Sequence, residues 1–413
     1  MDFYKGGTSR RKFLSGSVAA LLMSIPSPFV RRVIAAVSPP NPVFWTKNIP
    51  SNPFFIKNHP NYHAGVEGLL RCMKSTGLKL YCDHRAGPLS SPIGMIRSND
   101  VVLIKVNAQW KYRGCTNSDL VRGLIQRILD HPGRFKGEVV IIENGQGRGS
   151  LNCDTSAGYG DGAVHANANN GNHSFVYLVN EVFSDPRVSY YLLDNIRGTF
   201  IEKTDHVTDG YRTIGNISYP CFTTAGGHRI ELREGVWQGN FFSQNLKLIN
   251  LPVLKHHDEG GSEITASLKH FYGILSMADG NSGYRHYSGL GDTCGNMIAL
   301  IRTPILNIID AIWVSHLSIS GYPPNTTFRA NQVMASQDPV ALDYCAAKYI
   351  LFPIDQNPRH HPSFPGIDYW LTAACDTINR LGGLSHRNSG ILLSKVTKEE
   401  SKIMVYQENA GAF

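Results

Sequence analysis

The chain has 413 residues, 42% of them hydrophobic and 17% charged, an ordinary globular composition long enough for one large core or two smaller ones. No run of twenty apolar residues occurs, so no membrane-spanning helix is expected. The formal charge of +8 is concentrated at the start: beyond residue 36 the chain carries 34 basic against 31 acidic side chains. No basic stripe there interleaves with aromatics, which argues against nucleic acid as a partner.

In chain order, "SRRKFLSGSVAALLMSI" comes first: Arg10-Arg11 in a polar start, then Phe13-Leu14 and an apolar run too short to span a bilayer. Ser9–Leu14 closely resembles the consensus of twin-arginine (Tat) export signals, and Arg31 and Arg32 after the apolar run fit it. The expectation is a signal peptide over residues 1–36, cleaved near Ala35 or Ala36. The Tat translocase is then a partner during export, and the location periplasmic or otherwise exported. Export permits disulfides. The eight cysteines include no C-x-x-C, so a ferredoxin-type iron–sulfur, zinc-ribbon or thioredoxin motif is excluded. Cys72–Cys82 is a candidate bridge, and Cys345 and Cys375 read as buried thiols.

Residues 37–62 read as a Pro-rich extended lead-in, and 63–385 as an α/β domain. "HAGVEGLLRCMKSTG" has helical spacing and stops at Gly77. "VVLIKVN" (Val101–Asn107) is a continuous apolar strand. "SDLVRGLIQRILDHPG" is a helix capped by Ser118, and "EVVIIENG" (Glu138–Gly145) a second strand. The order repeats: "LKLINLPVLK" as strand, "EITASLKHFYGIL" and "DTCGNMIALIR" as helices, "ILNIIDAIWV" as strand, then "PVALDYCAAKYIL" and "DYWLTAACDTINRL" as helices. Strands apolar on both faces imply a mainly parallel sheet with helices on both faces. Residues 211–244, rich in β-formers and turns, imply a small β insertion, and 386–413 a C-terminal tail.

Ligands of open parallel sheets bind outside the carboxyl ends of the strands. The strands here end in Lys105-Val106-Asn107, in Glu143-Asn144-Gly145 and in Lys255-His256-His257, and the fourth contains Asp310. The loop Gly145–Asn172 is neither G-x-G-x-x-G nor a Walker loop and suits a flexible lid over the cleft, or a phosphate cradle. If the helix begins at Ile264, Lys269 lies at the edge of its apolar face, so Lys255 and Lys269 converge near His257. Converging ammonium groups repel unless an anion lies between them. They would hold a carboxylate or phosphate, or one of them would titrate near neutrality for proton transfer. Alternatively, both pair with Glu143, Asp310 or Asp338 in a structural network. Asp338 before Pro339 reads equally as a helix cap and as a wall of the site. The histidines and acids around 256–286 contain ligand types for a metal, with His257 and His286 the candidates, but no H-E-x-x-H spacing. His360-His361 reads as a surface turn. No G-x-S-x-G occurs, and nothing nominates a serine or cysteine nucleophile.

"VVLIKVN", "TNSDLVRGLIQRI" and "EVVIIENG", followed by "INLPVLKHH", "ITASLKHFYG", His286, "PILNIIDAI" and "VMASQDPVALDYCAAKYI", resemble the "domain of unknown function 362" family over roughly residues 60–352. The resemblance implies a bacterial or archaeal α/β domain without a settled activity. It places the family's polar positions on Lys105, Asn107, Thr116, Glu143, Lys255, His257, Lys269, His286, Asp310, Asp338 and Asp343. Of these, Asn107, Thr116 and Asp338 are read as cofactor- or ligand-binding. Many members carry a double-cluster ferredoxin segment, which this chain lacks. Val106 replaces a usual proline and His270 a usual asparagine, and the insertion around Cys82–Arg97 has no counterpart.

The expected function is an exported enzyme acting on an anionic small molecule by acid–base or redox chemistry, through Lys105, Glu143, Lys255, His257, Lys269 and Asp310. The alternative is a non-catalytic binding or maturation protein for a periplasmic redox enzyme, with a redox protein as partner.

Overall fold

The computed structural model describes residues 41–54, 59–82, 94–155, 161–257, 259, 262–280, 283–384, 391 and 393–411. The expected signal peptide and most of the Cys82–Arg97 insertion lie outside the described residues. Ten strands form the main sheet: β1 Asn41–Lys47, β2 Val101–Val106, β3 Glu138–Glu143, β4 Val188–Leu192, β5 Leu246–Leu251, β6 Val253–His256, β7 Ile264–Thr265, β8 Leu306–Ser315, β9 Thr327–Ser336 and β10 Ile403–Asn409. Their order is β10-β1-β9-β8-β5-β2-β3-β4, with β6 pairing to β8 and β7. All pairings are parallel except β1–β9, β8–β9 and β6–β7.

The alternation of strand side chains divides the core in two. Val101, Leu103, Val140, Ile142, Leu246 and Leu248 pack on one face, with Leu268, Phe271, Leu290 and Trp370 from the helices Ser267–Phe271, Leu290–Asn296 and Pro365–Arg380. Val102, Ile104, Val139, Ile141 and Ile249 pack on the other, with Leu69 and Met73 from the helix Ala64–Ser75 and Leu120 and Leu124 from Ser118–Leu129. The mainly parallel sheet with helices on both faces is therefore present. The β-rich insertion is a separate five-stranded antiparallel sheet spanning Gly210–Ile214, Ile217–Thr223, Arg229–Glu231, Gly235–Trp237 and Phe242–Ser243.

Several local expectations differ. The lead-in and the tail each supply a strand, β1 and β10, paired to one another. The cap of the helix Ser118–Leu129 is Asn117, whose Oδ1 accepts from Leu120 N at 3.0 Å, and Ser118 is already helical. "LKLINLPVLK" is two strands, broken at Pro252, and the helix read from Ile264 begins only at Ser267. His360 is buried and bonded to His256 and Asp355, so it is no surface turn. All eight cysteines are free thiols, Cys72 and Cys82 included.

Candidate functional site

Pro252 has no N–H to give a neighbouring strand. The ladder between β5 and β2 ends at the Leu251–Val106 pair, and the chain resumes as β6 along β8 and β7. A gap therefore opens beyond the end of β2, and two side chains brace it. Asn107 Oδ1 accepts from Val253 N at 3.0 Å. The Thr116 hydroxyl accepts from Asn107 N and donates to Leu251 O, both at 2.8 Å. The opened sheet is what lets side chains from β2, β3 and β6 face one cavity.

Lys105 and Glu143, at the ends of β2 and β3, form an ion pair at 2.5 Å. Lys105 Nζ also donates to Val106 O at 3.1 Å, and Glu143 Oε1 accepts from Ala108 N at 3.2 Å. Burial lowers the lysine and raises the glutamate, each opposed by its partner. Lys255, from β6, is differently placed. Its Nζ donates to Gly114 O at 2.9 Å, and among the described residues no carboxylate pairs with it. Burial brings its amine down to about 7, helped by the charges of Lys269 and Lys105 and opposed by Cys115 and Glu143.

Lys269 and His270 come from the short helix Ser267–Phe271, which has no cap of its own at Ala266. Asp343, from the helix Pro339–Ala346, supplies it: Oδ1 accepts from Ser267 N at 2.7 Å and Oδ2 from Leu268 N at 2.9 Å. Lys269 Nζ lies 2.6 Å from His286 Nε2 and 4.9 Å from the centre of the Tyr272 ring. His270 Nδ1 meets Asn250 Oδ1 at 2.7 Å, and Asn250 Nδ2 donates to Ser267 O and Asn307 Oδ1. The amide's oxygen is thereby fixed toward the ring, which makes Nδ1 the protonated nitrogen; Nε2 has no hydrogen-bond partner of good geometry, and the Val106 carbonyl lies near the ring. Burial holds His270 and His257 neutral, well below the usual histidine range, and brings His286 to about 4. Lys105 reinforces this at His270, and Lys269 does so at the other two.

These groups surround a cavity of about 30 Å³, lined by Lys105, Asn107, Glu143, Lys255, His257, Thr265, Lys269 and His270. That is room for about two waters or one small polar group. Three lysines face one carboxylate in it. Three buried lining atoms, His270 Nε2, Thr265 Oγ1 and Glu143 Oε2, have no hydrogen-bond partner, and the last of these has the Lys105 ammonium as its ion-pair partner. Unpartnered buried polar atoms are costly, and a ligand that pairs with them recovers that cost.

Of the residues nominated from sequence, Lys105, Asn107, Glu143, Lys255, His257 and Lys269 line this cavity, and His286 adjoins it through Lys269. Asp310 does not: its carboxylate accepts from Asn117 N at 2.8 Å and Ile312 N at 3.0 Å, tying β8 to the start of the helix Ser118–Leu129, and burial raises it to about 7. Thr116 acts through the brace, and Asp338 caps Pro339–Ala346 by accepting from Val340 N and Ala341 N. Neither Asp310 nor Asp338 pairs with the lysines. Sequence reasoning did not nominate Thr265, His270, Gln109 or Gln146 for the cleft. The register Lys255–Thr265 across "HHDEGGSEIT" is a strand–turn–strand pattern that could have found Thr265.

The described part of the loop after Gly145 is held by its neighbours and reaches the cavity at Gln146, which bonds Gln109 at 2.9 Å. Asp194 accepts from Gln146 N and Gly147 N, and the buried Lys111 ties Asp154 O, Asp161 and Ala163 O together. The described part of this loop is thus an anchored wall, and residues 156–160 lie outside the described residues.

The His257 and His286 ring centres are 5.6 Å apart, a spacing that two ligands of one metal can have, and His286 Nε2 lies 2.6 Å from the Lys269 amine. Among the described residues no group of three or more His, Cys, Asp or Glu side chains is arranged to hold a metal, and no helix is long and apolar enough to cross a membrane.

No curated protein and no solved structure matches the chain. Residues 237–348, which carry Lys255, His257, Lys269, His270 and His286, match the family model described as Domain of unknown function (DUF362).

Proposed function

We propose that the protein is an enzyme acting on a small anionic molecule by acid–base chemistry in the cavity beyond Pro252. The observation that carries this reading is Lys255: a buried lysine, facing the cavity with two other lysines and, among the described residues, with no carboxylate of its own. An anionic end group, carboxylate or phosphate, supplies the missing negative charge. Thr265 Oγ1 is placed to donate to that group. His270, held neutral, is placed to take a proton from the ligand at Nε2. Lys105 and Glu143, opposed by burial at 2.5 Å, can hand one back. Asn107, Thr116 and Asp343 position these groups without touching the ligand's reacting atoms. Export along the twin-arginine route to the periplasm is part of the same proposal and rests on the sequence of residues 9–32.

The test is calorimetric titration of inorganic phosphate and short carboxylic acids into the wild type, Lys255→Met and Lys269→Met at two ionic strengths. The expected result is folded variants that have lost binding, and wild-type binding weakened by salt. Variants that unfold, or that bind like the wild type, would put the lysines in a structural network and remove the site.

A further inference from the structure

Within that cavity one amine differs from the other two. Lys105 is committed to Glu143 at 2.5 Å, and Lys269 to His286 at 2.6 Å. Among the described residues Lys255 has the carbonyl of Gly114 as its hydrogen-bond partner, to which it donates, and this leaves its nitrogen lone pair uncommitted whenever the amine is neutral. It stands in register with Thr265, whose hydroxyl has no partner. Resting on the anion-site reading above, we infer that Lys255 is a nucleophile that forms an imine with the carbonyl carbon of a short oxo acid whose carboxylate is held by Lys269 and Lys105.

The cavity has room for about two waters, so only the reacting end of a ligand enters it, which favours the shortest oxo acids. The Lys255 nitrogen pair forms the C–N bond, and the carbonyl π pair moves to oxygen, which the Thr265 hydroxyl steadies. The proton lost from nitrogen goes to His270 Nε2 and is returned to the carbinol oxygen. The hydroxyl so formed takes a second proton from the Lys105–Glu143 pair and leaves as water when the C–N double bond forms, so the imine nitrogen keeps one hydrogen and is cationic. No oxidant, reductant or further reactant is needed. The cationic imine draws electrons from the neighbouring carbon, so a C–H or C–C bond there is the one made labile. Burial and flanking cations are the usual way to keep a lysine neutral enough for this chemistry, and the amine's position near 7 agrees with it.

The test uses the full chain with pyruvate as probe and sodium cyanoborohydride as trap, followed by digestion and peptide mass mapping. Calorimetry with pyruvate and with phosphate is run on the same preparation. The expected result is a 1-carboxyethyl adduct at Lys255, formed at least about tenfold faster than at any other lysine. It should be slowed by excess phosphate, and slowed again in Lys269→Met, which keeps the nucleophile and loses part of the carboxylate hold. Binding of pyruvate or phosphate without selective labelling of Lys255 overturns the imine and leaves the anion site standing. Neither binding nor labelling overturns both.

Discussion

The strand β3 begins and ends with a buried glutamate, and the two ends are built differently. Glu138 accepts from Ser189 Oγ at 2.5 Å, Thr224 Oγ1 at 2.5 Å and Gly226 N at 3.0 Å. These neutral donors come from β4 and from the inserted sheet's side, so the carboxylate fastens the insertion to the main sheet. The fit is close: a Cβ at Gly226 would lie 2.6 Å from Glu138 Oε2. Glu143 instead meets Lys105 beside a cavity that contains an excess of lysine and the unpartnered Thr265 Oγ1 and His270 Nε2. One residue type, at opposite ends of six residues of strand, closes the fold at the amino end and leaves unmatched charge at the carboxyl end. Sites that break local rules of charge pairing lower stability, and a functional requirement is the usual reason they persist.

The largest expected effect is at the open end. Lys255→Met should lower anion affinity by about a hundredfold or more, read by calorimetry, because removing one partner of a desolvated charged contact costs several kcal/mol. The same change should raise thermal stability, since a poorly compensated buried amine is replaced by an apolar chain of similar length. The closed end should behave oppositely. Glu138→Ala strands three donors and should cost about 3 kcal/mol in denaturant unfolding, with affinity per folded molecule unchanged. A smaller effect is expected at the support of the site. Asp343→Ala removes the cap of the helix carrying Lys269 and His270, costing about 1–2 kcal/mol and weakening binding through loss of position.

The smallest effect is in pH dependence. Lys255 sits near 7 in the folded chain against an ordinary 10.5, so between those values the unfolded chain binds more protons. Its contribution to stability is therefore full above 10.5 and is lost as pH falls to about 7. The stability gained by Lys255→Met should be largest near pH 7 and shrink toward pH 10. Asp310 and Asp343, raised to about 7, act in the other sense, contributing fully below about 3.8 and losing this as pH rises to about 7. A gain that grows with rising pH would mean that Lys255 is well compensated and would weaken the contrast between the two ends.

The contrast was partly legible in the sequence. Val101–Val106 and Glu138–Glu143 are continuous apolar runs, and a polar group at such a strand's end is visible without coordinates. The convergence of Lys255 and Lys269 was also legible, although the helix carrying Lys269 starts three residues later than its spacing suggests. The break at Pro252 was not read, because the apolar residues on both sides of it continue one strand pattern, and only pairing partners reveal the switch. In the sequence His270 is visible only as one of several metal-ligand residue types between 256 and 286. Its role depends on Asn250 turning an amide oxygen toward it across twenty residues of chain, a long-range contact with no local signature. β1 was hidden by the prolines around it, and β10 by its distance in sequence from the rest of the sheet.

The most direct test of the central claim is a pair of thermal unfolding curves, wild type and Lys255→Met, each with and without inorganic phosphate at matched ionic strength. The account requires the variant to fold, to melt several degrees above the wild type, and to ignore phosphate while the wild type is raised by it. A variant that melts below the wild type, or a wild type indifferent to the anion, would show that Lys255 belongs to the scaffold.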